Sequence, residues 1–330
     1  MKFLIIQTAF IGDVVLATPL IEKLKMHYPN ATIDFLVRKG NESLLENHPL
    51  LRNVIVFDKK KGKYRNLVVL IRSIRKHKYD YVINVQRFFA SGLMTAMSGA
   101  KKETIGFDKN PLSRFFSKKV PHHISAKAIG DHEVKRNLSL ITHLTDDFFI
   151  RPKLYPSLAD FEKIKTNGPY ICIAPASVWF TKQFPKERWI DFINEVPNDF
   201  NIYLMGAKSD YALCEEIGSR VTGHGSRIVN LAGQLTFLES AALMKNAEMN
   251  YVNDSAPLHF ASAVNAPVTA IFCSTVPAFG FGPLSDKSFV VETKLELTCR
   301  PCGLHGRKEC PLGHFHCSII ETESLLKNLA

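Results

Sequence analysis

Three stretches of this 330-residue chain place hydroxyl, carboxylate, ammonium and imidazole groups where an apolar run gives way to helical spacing. The first is Gln7-Thr8-Ala9-Phe10-Ile11-Gly12-Asp13. Gly12 permits a tight turn, and Asp13 falls at or just inside a helix start. A carboxylate there is ordinarily favoured by the helix dipole. Facing a cleft, it can also take a proton from a hydroxyl as a general base. The second stretch is Ala174-Pro175-Ala176-Ser177, followed by T-K-Q-F-P-K-E-R-W at 181–189. Ser177 offers a hydroxyl, and Lys182 is either a solvated loop cation or an ammonium that neutralises a diphosphate. The third is Asn253-Asp254-Ser255-Ala256-Pro257-Leu258-His259-Phe260-Ala261. Asp254 and Ser255 open a helix with Pro257 near its first position, and amides at such a start bind anions. His259 lies about one turn further on. Alone on an apolar helix it reads as a packed core residue; beside the other two loops it reads as a diphosphate ligand.

The seven cysteines divide into two groups. Cys172, Cys214 and Cys273 lie in apolar elements and read as buried free thiols. Cys299, Cys302, Cys310 and Cys317 cluster as C-x2-C-x7-C-x6-C, with His305, His314 and His316 among them. The first spacing fits a structural zinc knuckle, while the later pair lacks a second C-x2-C. Zinc, one or two disulfides, and reduced packing thiols all stay open.

Several chemistries lose their usual signatures. No G-x-G-x-x-G follows a strand, and no P-loop, G-x-S-x-G elbow or D-x-D pair is present. Phosphate binding therefore has to rest on helix starts and basic side chains. Apolar content of 46% with 22% charged residues is ordinary globular composition. The formal charge of +11 is uneven: residues 1–155 carry 27 basic and 13 acidic side chains, a net of +14, and the remainder is −3. One half is thereby suited to an anionic partner, or simply has a basic surface. A nucleic acid fits poorly, because the basic half has no recognisable binding module or aromatic platform. No uninterrupted apolar run is long enough for a membrane span, and the N-terminus reads as a first strand rather than a signal peptide, so a cytoplasmic chain is expected.

The elements that must position these groups alternate strand and helix. Strands are expected at 2–7, 32–37, 53–57 and 79–85, and helices at 13–27, 67–76, 89–98 and 132–144. The basic stretch 101–127 shows little periodicity. The pattern weakens from 145 to 168, where a domain boundary is expected. A second set follows, with strands at 170–174, 201–205, 228–231, 249–252 and 268–272 and helices at 186–196, 210–221, 238–245 and 257–264. A short helix at 321–329 ends the chain. The fold class is α/β, with two Rossmann-like domains, 1–155 and 156–330, facing across a cleft, the second carrying the cysteine segment 299–317.

The combination of I-G-D-V-V-L-A-T-P-L-I-E-K-L-K, A-P-A-S with T-K-Q-F-P-K-E-R-W, N-D-S-A-P-L-H-F-A-S-A and the late C-x-x-C-G…C-P-L-G-H-F-H-C resembles glycosyltransferase family 9, the lipopolysaccharide heptosyltransferases. The resemblance runs from Met1 to about Cys317. It implies a GT-B fold with an N-terminal acceptor domain and a C-terminal nucleotide-sugar domain. It also implies inverting transfer of heptose from ADP-L-glycero-D-manno-heptose to the inner core of lipopolysaccharide, with no catalytic metal or other cofactor required. The alternative is a family 9 enzyme that uses another nucleotide sugar for a different surface glycan. Asp13 matches the family's catalytic base, with Thr8 and Gly12 in its acceptor-side loop. Ser177 and Lys182 match the donor-phosphate loop, and Asp254, Ser255, Ala256 and His259 match the donor-domain D-[TS]-[GA]-x-x-H motif. Asp210, which follows Gly206-Ala207 less closely than the family's ribose-binding acid, is a weaker match. The basic first half, including Lys59-Lys60-Lys61, Lys101-Lys102 and Lys118-Lys119, suits peripheral association with the cytoplasmic face of the inner membrane, where a lipid A-core acceptor would lie.

Overall fold

The protein is described by a computed structural model covering residues 1–60, 62–125, 131–223 and 227–329; Lys61 and Lys127 of the basic stretches lie outside them. The chain divides into two compact units, Met1–Ile124 with Asp131–Tyr155, and the part from Pro156 onward.

In the first unit, β1 (Lys2–Ile6), β2 (Thr32–Arg38), β3 (Asn53–Phe57), β4 (Tyr81–Asn84), β5 (Glu103–Phe107) and β6 (Lys118–Val120) form one six-stranded sheet in the order 3-2-1-4-5-6. All its pairings are parallel. Its central strands are buried apolar runs because helices cover both faces of a parallel sheet. The crossovers are α1 (Ile11–Ala17), α2 (Pro19–His27), α3 (Lys63–His77) and α4 (Phe89–Ala96), and α5 (Glu133–Ser139) closes the unit. Leu67, Leu70, Ile71 and Ile74 of α3 pack on Leu4, Leu36, Phe57 and Val82 of the sheet.

The second unit repeats the plan. Here β7 (Tyr170–Ala174), β8 (Asn201–Leu204), β9 (Ile228–Asn230), β10 (Met249–Asn253), β11 (Val268–Phe272) and β12 (Ser288–Glu292) are ordered 9-8-7-10-11-12, again with parallel pairings throughout. Counted within its unit this is the same 3-2-1-4-5-6 order. Its helices are α6 (Leu158–Lys163), α7 (Lys186–Glu195), α8 (Tyr211–Arg220), α9 (Phe237–Lys245), α10 (Ala256–Val264) and α11 (Glu323–Leu326). Trp189, Phe192, Tyr251 and Leu325 meet in its core, and the Tyr251 hydroxyl donates to the Leu325 carbonyl at 3.2 Å. The α/β reading of the sequence, with a Rossmann-like sheet in each unit, holds.

Four local expectations are corrected. The helix expected over 13–27 is two helices broken at Thr18. Pro19 has no N–H, so the Val15 carbonyl is taken instead by the Thr18 amide at 3.1 Å and its hydroxyl at 2.8 Å. The basic stretch beginning at Lys101 holds β5 and β6. Both are short, and the Lys118-Lys119 start of the edge strand β6 carries no apolar alternation. Edge strand β12 and the six-residue helix α6 were likewise absent from the pattern. Helix α8 begins at Tyr211, with Asp210 in the turn before it.

Candidate active site

In a doubly wound sheet, ligands bind beyond the carboxyl ends of the strands, near the point where strand order reverses. That point lies between β1 and β4 in the first unit and between β7 and β10 in the second.

In the first unit, β1 is followed by Gln7, whose side-chain carbonyl accepts from the Gln86 amide just past β4 and from the Ala9 N–H at 3.2 Å. Thr8 is buried, and its carbonyl accepts from Lys59, just past β3, at 2.7 Å. Asn41, in the loop after β2, donates to the Ala9 carbonyl at 3.0 Å. The loop is thus held from three neighbouring strand ends. Gly12 and Asp13 fall inside the first turn of α1, and the Phe10 N–H donates to the Asp13 carboxylate at 3.1 Å. Burial, reinforced by the negative charge of Glu133, raises the Asp13 carboxyl from 3.8 to about 6, against the pull of the Phe10 amide, Arg38 and Lys109. A carboxylate with raised proton affinity and no direct ion pair among the described residues is suited to general-base work.

Residues that the sequence pattern did not single out surround it. The Arg38 guanidinium lies 4.9 Å from the centroid of the exposed Phe10 ring. Lys109, after β5, is exposed as a residue, but partial desolvation of its ammonium lowers it to about 8, with Glu133 opposing and Arg87 and Arg136 reinforcing the fall. Its Nζ sits 2.7 Å from His122 Nδ1, and His122 Nε2 donates to Glu133 at 3.2 Å. Arg136 donates to the other Glu133 oxygen at 2.6 Å. Burial pushes the Glu133 carboxyl up, but His122 and Arg136 outweigh it and keep it below its ordinary value. Glu133 therefore stands as the fixed charge that raises Asp13. The available signal was that Arg38, Lys59, Arg87 and Lys109 each lie at or within a few residues of a strand's carboxyl end, which a parallel sheet gathers along one edge.

In the second unit, Asn253 spans the reversal. Its amide donates to the Pro175 carbonyl at 2.8 Å, and its side-chain oxygen accepts from the Phe184 N–H at 2.9 Å. The donor-loop residues are thereby tied to the end of β10. Lys182, 14% exposed, pairs with Asp254 at 2.7 Å. The same Asp254 oxygen accepts from the Thr275 hydroxyl at 2.7 Å. Ser255 caps α10 in an extended conformation without a side-chain cap bond, and the Ala256 N–H is one of the first-turn amides that have no intrahelical carbonyl. Pro257 follows Ala256 inside that turn. His259 is buried one turn along. Ser177 lies partly exposed in the loop, where its carbonyl accepts from Gln183 at 2.6 Å. Lys182, Asp254, Ser255 and Ala256 thus belong to one neighbourhood. Asp210 turns back on its own loop, accepting from the Ala207 N–H at 2.8 Å.

The cysteine expectations resolve unequally. All seven thiols are free, and Cys172, Cys214 and Cys273 are buried. Burial lifts the Cys214 thiol to about 12. Among the described residues no three His, Cys, Asp or Glu side chains are placed to hold a metal ion. Within the cysteine segment, Cys299 Sγ and His314 Nε2 come to 4.0 Å, but no third donor completes a set for zinc.

The glycosyltransferase family 9 (heptosyltransferase) model matches residues 67–315. Lipopolysaccharide heptosyltransferase 3 of Escherichia coli is 27% identical over 281 residues, covering 81% of this chain and 82% of that protein. Lipopolysaccharide heptosyltransferase 1 of Campylobacter coli is 22% identical, covering 99% and 97%. Among solved structures, E. coli ADP-heptose lps heptosyltransferase II superposes with a TM-score of 0.81 at 21% identity, covering 100% of this chain and 97% of that one. With two 3-2-1-4-5-6 sheets and a family match over three quarters of its length, this chain is a glycosyltransferase of family 9, the heptosyltransferase family.

Proposed function

We propose that the enzyme transfers heptose from ADP-L-glycero-D-manno-heptose to a hydroxyl of the lipopolysaccharide inner core, inverting the anomeric carbon. The Asp13 environment carries the mechanism: a carboxyl raised to about 6 is still mostly ionised at neutral pH and takes up a proton readily. In this reading the acceptor hydroxyl attacks the anomeric carbon from the face opposite ADP. Its proton passes to Asp13, and the electron pair of the breaking bond leaves on the diphosphate. Lys182 and the Ala256 N–H stabilise that charge, with Ser177, Ser255 and His259 completing the donor side. Arg38, Lys59 and Lys109 give the acceptor side its affinity for a glycolipid bearing carboxylates or phosphates. The first unit then takes the acceptor and the second the nucleotide sugar. The heptosyltransferase names of the relatives support this donor and acceptor. Incubating the enzyme with ADP-heptose and heptoseless lipopolysaccharide, and with UDP- or GDP-sugars in parallel, tests it. Heptose addition from the ADP sugar alone is the expected result; transfer only from another nucleotide sugar overturns the reading.

Such an acceptor is anchored in a membrane, while no helix among the described residues is long and apolar enough to cross one. Peripheral association at the cytoplasmic face of the inner membrane belongs to the same reading, and the surface of α3 supports it. Its sequence KYRNLVVLIRSIRKH holds five Lys or Arg and no acid. Tyr64, Val68 and Val69 are 78, 48 and 57% exposed. Exposed apolar groups among cations suit an anionic lipid interface. Co-sedimentation with phosphatidylglycerol vesicles is expected to fall for Val68→Glu with Val69→Glu. Undiminished binding by that variant would place the membrane face elsewhere.

A further inference from the structure

The cysteine-rich segment takes no part in the transfer just described, yet it is knotted to the donor loop. Thr181, adjacent to Lys182 and only 1% exposed, is the centre of the knot. Its N–H donates to the Arg307 carbonyl at 3.1 Å, and its hydroxyl accepts from the Arg307 N–H at 2.8 Å and from the Ser274 hydroxyl at 2.9 Å. The Ser274 N–H donates to the Thr181 carbonyl at 3.2 Å, and the Cys302 N–H donates to the Ser274 carbonyl at 2.8 Å. Arg300 fastens the start of the segment to the end of β11, donating to the carbonyls of Cys273 at 2.7 Å, Phe272 at 3.0 Å and Thr275 at 2.8 Å. Thr275 is the residue that shares Asp254 with Lys182.

The closest approach is at Gly306. A Cβ there would lie 2.8 Å from Lys182 Cγ, 3.2 Å from its Cδ and 3.1 Å from the Thr181 hydroxyl. The backbone of the cysteine segment therefore runs directly along the aliphatic stem of Lys182. Trp179 of the donor loop and Gly306, Arg307 and Lys308 of the segment also line one cavity of about 350 Å³. A lysine stem is long and rotamer-rich, so fixing its ammonium requires a wall along it.

We propose that the cysteine-rich segment is the wall of the donor-phosphate site, and that Thr181 and Gly306 are positioning residues that aim Lys182 at the diphosphate. The proposal rests on the reading of Lys182 as the diphosphate cation. The segment acts by its backbone course: Gly306 leaves room for the stem, and the Thr181 hydroxyl holds the wall at that distance. Donor affinity, rather than acceptor affinity, is the quantity it controls.

Thr181→Val removes the hydroxyl at nearly constant volume, and Thr181→Ser restores it. Gly306→Ala places a methyl against Lys182. Gly313→Ala is its control, since both glycines have positive φ, +74° and +72°, but Gly313 has nothing within 4 Å of a Cβ. ADP affinity by calorimetry, the KM for each substrate and kcat are measured for all four. Thr181→Val and Gly306→Ala are expected to weaken ADP and raise the donor KM roughly tenfold, a lost charge-assisted contact, with acceptor KM unchanged. Thr181→Ser and Gly313→Ala should match the parent enzyme. Equal donor KM for Gly306→Ala and Gly313→Ala overturns the proposal, and this comparison decides it even if Thr181→Val does not fold. Lys182→Met separates the two levels. Unchanged ADP affinity in Lys182→Met sinks the diphosphate reading itself; a loss there without one in Gly306→Ala sinks only the wall.

Discussion

Asp13 and Asp254 flank equivalent strand-order reversals in two sheets of the same topology, yet their surroundings are opposite. Asp254 is paired with Lys182 and accepts from Thr275, so its charge is spoken for. Among the described residues Asp13 has the Phe10 amide as donor, Glu133 as a neighbouring carboxylate and Arg38 and Lys109 as cations without a direct ion pair, and its proton affinity rises. One architecture thus yields a carboxylate that holds a cation in place and another that can carry a proton. The difference comes from what the adjoining strand ends contribute. In the second unit the β7 side supplies a lysine directly to the β10 side. In the first, α5 brings Glu133 toward α1 while Arg136 and His122 occupy its oxygens.

The contrast breaks most sharply at Asp13. Asp13→Asn keeps an acceptor for the Phe10 N–H but not the base, and transfer is expected to fall about 10²–10⁴-fold, with ADP affinity intact by calorimetry. In the unaltered enzyme the ascending limb of kcat/KM against pH should lie near 6 rather than near 4. Activity within tenfold of the parent, or a limb near 4, would remove Asp13 from the chemistry.

A smaller effect is expected at the paired carboxylate. Lys182→Met combined with Asp254→Asn removes the ion pair without leaving a buried charge alone. Its kcat/KM for the donor should drop roughly 10–100-fold, the scale of hydrogen bonds to charged groups, while the pH limb of kcat/KM stays put. A displaced limb would show that the two carboxylates are coupled rather than separate in role.

The smallest effect is on stability. Asp13 binds its proton more tightly folded than unfolded, so its contribution favours folding below about 3.8 and is lost as pH rises through about 6. Above that, the ionised group opposes folding, and Asp13→Asn should be more stable than the parent at pH 8 by on the order of 1–2 kcal/mol. Urea melts at pH 8 and pH 4 check this, since the advantage should vanish at the lower pH. No gain at pH 8 would mean that Asp13 is as well solvated as an ordinary carboxylate.

The three loops that carry Asp13, Lys182 and Asp254 were legible because each is a local event, an apolar run ending where helical spacing starts. Pro19 was equally visible, but the apolar spacing continues across it and masked the break at Thr18. The ring of Arg38, Lys59, Lys109 and Glu133 was not legible. Their proximity depends on strand order, which brings residues from the ends of β2, β3 and β5 beside the loop after β1. Strand β6 escaped for a related reason: an edge strand buries little, so Lys118 and Lys119 erase the apolar signature. The cysteine spacing left zinc, disulfides and packing thiols open, whereas the segment is tied to the donor loop by backbone bonds at Cys302 and Arg307, which no side-chain motif encodes.

The break at Thr18 has a consequence for motion. It leaves α1 seven residues long, too short to persist in water by its own hydrogen bonds. Its folded lifetime is therefore borrowed from neighbours, and one lender is explicit: Asn137 of α5 donates to the Leu16 carbonyl at 3.0 Å. Opening of α5 should then release α1 with it, and amide exchange in the two helices should slow and quicken together. The residue that receives the proton would sit on a segment whose rigidity is lent to it by the helix bearing Glu133.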